Sequence, residues 1–149
     1  MGRLRCLTSD RGAVAVEFAL VAPLFLLLVF ATMVFAIYFA TFVAVIQGAS
    51  EGARSSIAGI SNAERDQMAR SRVQLLLQSY QPLLNPTRAT VTTQAITAGS
   101  LPAYRVSVAY PVSEFGFGYF YSFMNAVSGT AQTAPRNVSY SVTVANGGY

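Results

Sequence analysis

The chain has 149 residues, enough for one modest domain once any membrane segment is set aside. Apolar residues make up 53% and charged residues only 11%, far below the roughly 25% charge of an ordinary soluble domain, so water is not the only solvent it meets. The net charge of +4 comes from ten scattered arginines that form no stripe, which argues against a nucleic-acid partner; Cys6 as the single cysteine, with no histidine, excludes intramolecular disulfides and Cys- or His-based metal sites.

Residues 1–12 form a short segment bearing Arg3, Arg5 and Arg11. From Ala13 to Ile46 the chain is almost unbroken apolar sequence whose one charge is Glu17. About 20 apolar residues cross a hydrocarbon core of about 30 Å, so the transmembrane helix expected over residues 13–47 both spans and protrudes. The arginines precede the span, while Glu51 and Arg54 cancel behind it, which places the N-terminus in the cytoplasm and the rest outside. A cleaved secretory signal has an apolar region of only about 7–15 residues, much shorter than this one.

A carboxylate at the centre of a span costs on the order of 3 kcal/mol, and less near the interface, so Glu17 needs a favourable helix end or a partner. Gly12 has no side chain and could present an extended backbone to a protease cleft. Cleavage there would free an amine at Ala13, four residues from Glu17 on the same helical face, where the two could pair within a chain or between packed chains. Pro23 removes the backbone hydrogen bond to Ala19 and is expected to kink the helix and invite packing. Gly48-Ala49-Ser50-Glu51-Gly52 reads first as a flexible helix exit and second as a small-residue dimer motif.

Residues 48–149 are expected to form an extracytoplasmic α+β domain. Ser61-Asn62-Ala63-Glu64 has capping-box spacing, so a helix should run from Asn62 to Tyr80, with Ala69, Val73, Leu76 and Tyr80 on its inner side and Pro82 and Pro86 behind its end. Alternating patterns predict strands at Arg88–Thr97, Tyr104–Val112 and Asn137–Val144, hence one amphipathic helix packed on a three-stranded antiparallel sheet. Between the last two strands lie Phe115, Phe117, Tyr119, Phe120, Tyr121 and Phe123, too aromatic for an exposed loop. They read as a plug for the edge of a small core, or else as a contact with the membrane surface or another subunit.

The residues around Gly12 carry a resemblance. Gly followed by an apolar run with Glu fifth is similar to the processing site of type IV prepilins, and Ala15-Val16-Glu17-Phe18-Ala19-Leu20-Val21-Ala22-Pro23 resembles the TadE-like family of the Flp or Tad (tight adherence) pilus system. Glu51-Gly52-Ala53-Arg54 is similar to the segment in which that family leaves its membrane helix, and Val106 to Pro111 resembles its later strand. The resemblance implies a minor pseudopilin of the bacterial inner membrane, cleaved between Gly12 and Ala13 by an aspartic prepilin peptidase. It would assemble through Glu17, Phe18 and Pro23, with Glu51, Gly52 and Arg54 at the helix exit. Its implied partners are the membrane, the peptidase, other pilins or pseudopilins and the Tad assembly platform.

No catalytic, cofactor or metal site is expected: beyond the span, on the external side, the acids are Glu51, Glu64, Asp66 and Glu114, with nothing to complete a triad. No small-molecule substrate is implied. Two other classes remain open, an uncleaved membrane accessory protein acting through its external domain and a binding module for an envelope ligand.

Overall fold

The computed structural model describes residues 10–113 and 115–145, with side chains from residue 12 onward. Arg3, Arg5, Cys6, the Arg11 side chain and Glu114 lie outside the described residues. The apolar run belongs to a 47-residue helix, α1 (Asp10–Ser56). Between Gly12 and Gly48 its one strong helix breaker is Pro23, and the helix continues through it. At 1.5 Å per residue α1 is about 70 Å long, more than twice the hydrocarbon thickness. Its last quarter therefore has to be built for water, and it is: the helix continues past Gly48 and Gly52 and becomes part of the external core.

The second helix, α2 (Asn62–Gln78), starts where the capping box places it. Ser61 Oγ accepts from the Glu64 amide at 3.2 Å, and Glu64 Oε2 accepts in return from the Ile60 amide at 3.0 Å, one residue earlier than in the usual reciprocal pair. The buried positions are Ala69, Val73 and Leu77. Leu76 and Tyr80, expected on that face, are only half-buried, because the inner stripe falls one residue further along. Two turn bonds, from the Ser79 and Tyr80 amides to Leu76 and Leu77, then close the helix.

A short 3-10 turn (Pro86–Arg88) leads into strands β1 (Thr90–Ala98) and β2 (Leu101–Pro111); a third helix, α3 (Phe117–Ser128), separates these from β3 (Asn137–Ala145). All three strands are antiparallel in the order β1-β2-β3. Val106 lies opposite Thr93 and Val142, and Val108 opposite Val91 and Tyr140. This register puts Tyr104, Val106, Val108 and Tyr110 on the covered face, and leaves Ser107 to share a 2.8 Å hydrogen bond with Ser141 on the open one.

The cover is not the single helix that patterning predicts. The end of α1 packs on β2 and β3, while α2 lies along α1 and reaches the sheet at β1. Val45, Ala49, Val73, Leu77, Val108 and Val138 meet in the larger core cluster; Ala53, Ala69, Tyr104 and Val106 form a second. A fully buried Leu or Val contributes about 1.5–3 kcal/mol, so a domain of this size has few such residues to lose.

Candidate functional site

From Gly12 to Ala40 the side chains of α1 are exposed or half-exposed in every direction, with Val34 alone buried. The exposed residues include Phe18, Leu20, Val21, Leu24, Leu26 and Phe30, which between them occupy all sides of the helix. The core helix of a soluble protein hides such residues along a stripe; a helix apolar all round has its stable place in hydrocarbon.

Glu17 stands in this apolar surface. Its neighbours at helical spacing are Ala13, Val14, Leu20 and Val21, and among the described residues it has no ion-pair partner. It lies more than a turn inside the start of α1, where the helix dipole has largely faded, so the helix end alone does little for its charge. Gly12 differs from expectation: it is helical rather than extended, and a Cβ there would meet open space. As part of the first turn, where amides have no partners within the helix, it can unwind at little cost. Phe18 is exposed, and Pro23 lines a groove with Leu20, Leu24 and Leu27.

Of the residues read as a helix exit, Glu51 and Gly52 fasten α1 to the domain. Glu51 Oε2 meets Arg72 Nη2 of α2 at 3.3 Å, and Tyr80 Oη donates to Gln47 Oε1 at 2.7 Å. A Cβ on Gly52 would lie 2.7 Å from Val73 Cγ2 and 3.3 Å from the Ala69 carbonyl, so only glycine allows this approach of α1 to α2. Arg54 is exposed in the last turn, where its charge suits the helix C-terminus. Patterning missed the larger feature: Thr41, Ala44, Val45, Gly48, Ala49 and Gly52 begin a buried stripe that continues to Ser56. Its signal was the recurrence of small residues at three- and four-residue spacing.

The aromatic segment divides. Phe115 stacks on Tyr110 at 6.2 Å, and Phe117 is buried edge-on against Phe35 at 6.4 Å and Tyr38 at 5.2 Å. Gly116 sits at φ +80, and a Cβ there would lie 3.4 Å from Phe30, so conformation and space both call for glycine at the start of α3. Phe120 packs on Phe35 at 5.7 Å and, like Tyr121, is half-buried; Tyr119 and Phe123 are exposed. Phe115 and Phe117 plug a core edge, but most of what α3 covers is α1 rather than the sheet.

Among the described residues no group of three or more Asp, Glu, His or Cys comes together. Asp66 accepts from the Thr93 hydroxyl and from Arg70 Nε at 2.7 Å, while Arg70 Nη1 donates to the Val91 carbonyl at 2.7 Å. The Thr93 hydrogen bond first, and then Arg70, hold the Asp66 carboxyl below the usual carboxylate range against an opposing effect of partial burial. This cluster ties α2 to β1.

A long helix exposed and apolar at one end and packed on an antiparallel sheet at the other defines a single-pass, membrane-anchored α+β protein. The family model described as TadE-like protein matches residues 12–54, the helix from Gly12 to Arg54, in agreement with the resemblance carried by that helix. No curated protein and no solved structure matches the chain.

Proposed function

We propose that this chain is a minor pseudopilin of a Flp or Tad pilus machine, held in the bacterial inner membrane with its N-terminus in the cytoplasm, cleaved after Gly12 and assembling through the first half of α1. The TadE-like family is one of pilus components, and its match begins at Gly12. The observation that carries the reading is Glu17, a carboxylate with no ion-pair partner among the described residues, set in an apolar helical surface four residues beyond Ala13. Cleavage would place an ammonium at Ala13 within reach of that carboxylate, on the same subunit or on a neighbour, and so set the register between packed helices. Nothing in this role calls for catalysis, and the chain acts by packing against other subunits and the assembly platform.

The test is the N-terminal residue of the membrane-extracted protein, read by mass spectrometry from cells with and without their prepilin peptidase. A peptidase-dependent start at Ala13 supports the reading; a chain that retains Arg3 to Gly12 in both strains sinks it. The second reading is an uncleaved membrane accessory protein in which Gly12 keeps its place in the helix, and the same measurement decides between them.

A further inference from the structure

The direction of α3 bears on the membrane itself. Phe117, at its start, lies against Phe35 and Tyr38 of α1; Phe123, Met124 and Val127, further along, line a groove of about 500 Å³ with Leu20, Pro23 and Leu24. The helix thus runs antiparallel to α1, away from the sheet and down along the span. Phe117 to Val127 advances about 15 Å, half the thickness of the hydrocarbon core.

We propose that α3 and the chain that returns from it form a re-entrant hairpin seated in the outer half of the bilayer, with lipid acyl chains as the occupant of its exposed face. The composition suits that depth: from Phe115 to Pro135 there is no charged side chain. Phe123, Met124 and Val127 are 46%, 40% and 69% exposed, and their surface is continuous with the exposed Leu20 and Leu24 of the span, so one solvent must wet both. Tyr119 lies near the head of the hairpin, two residues from Phe117, and tyrosines favour the level at which a membrane meets its headgroups.

The tip supplies several of the hydrogen bonds that irregular backbone at membrane depth requires. Asn125 Nδ2 donates to the Gln132 carbonyl and Asn125 Oδ1 accepts from the Gln132 amide, both at 2.9 Å. The Gly129 amide reaches the Asn125 carbonyl at 3.0 Å, and Ser128 Oγ shares a 2.7 Å hydrogen bond with Thr130.

The inference rests on α1 spanning the membrane and is independent of cleavage at Gly12. Its test uses the full chain with Cys6→Ser, single cysteines carrying a bimane fluorophore, and liposomes of phosphatidylethanolamine and phosphatidylglycerol containing a mid-chain nitroxide lipid. Leu28→Cys reports the span and Thr97→Cys the water-facing sheet. Bimane at Phe123→Cys and at Val127→Cys is expected to lose most of its emission to the nitroxide, as at Leu28→Cys, and to resist aqueous iodide. Both positions are exposed, so neither substitution opens the core. Quenching by iodide alone, as at Thr97→Cys, would place α3 in water and overturn the proposal. Protection from both quenchers would mean that a second copy covers it, and would overturn it equally. Failure of the nitroxide to quench at Leu28→Cys would remove the span itself, and the hairpin with it.

Discussion

The two halves of α1 share one unbroken backbone and answer to different surroundings. From Gly12 to Ala40, Phe, Leu and Val point in all directions and, Val34 and the contacts with α3 apart, stand exposed; from Thr41 to Ser56, a stripe of small residues is buried while Gln47 and Arg54 face out. In the first half hydropathy is the whole signal, since lipid does not care which side of a helix it meets. In the second the information lies in size and spacing, because backbone must approach backbone to close a core of limited area.

That contrast has measurable edges. The largest effect is expected from Leu77→Ala, which empties the site facing the second half of α1 and should destabilise the domain by about 2–5 kcal/mol in chemical denaturation of the detergent-solubilised chain. Leu24→Ala, the same change on the open half, should leave that transition within about 0.5 kcal/mol of the parent. Equal losses from the two substitutions would erase the distinction between the halves.

Next comes Gly52→Ala, whose new methyl group must displace Val73, a stiff β-branched side chain, for an expected cost of about 1–3 kcal/mol by the same measurement. The matching change Gly12→Ala enters open space and should not move the transition.

The smallest effect concerns the tie between α2 and β1. Folding lowers the Asp66 pKa, so its carboxylate stabilises the fold above the ordinary carboxylate range and loses that contribution as the pH falls from this range through the lowered folded value. The Asp66 side chain is 37% exposed, which limits the effect to under about 1 kcal/mol. Asp66→Asn should therefore lower stability slightly at neutral pH and flatten its acid limb; an unchanged acid limb would remove the tie.

Much of the fold was legible because local signals agreed with one another. The capping box at Ser61 placed α2, and alternation in Val106-Ser107-Val108 and Val138-Ser139-Tyr140 placed β2 and β3. What could not be read was which surface covers which. Hydrophobicity in Phe115 to Met124 announced a need for cover without naming Phe35 and Tyr38 as its source, since nothing local to either segment encodes their pairing. The one-residue shift from Leu76 to Leu77 has the same origin: two neighbouring leucines satisfy the helical period equally, and the packing of α2 along α1 decides between them. At the candidate site the residue types around Glu17 were plain from the sequence, whereas the helical backbone at Gly12 was not, because glycine permits either conformation.

Since α1 is continuous from Gly12 to Ser56, with its last turns wedged between α2 and the sheet, its two ends share one helical phase. Each residue turns the helix by about 100°, so the compass direction of Glu17 within the membrane and the direction faced by the sheet outside it are a single angle. Any partner that grips one end and rotates it aims the other.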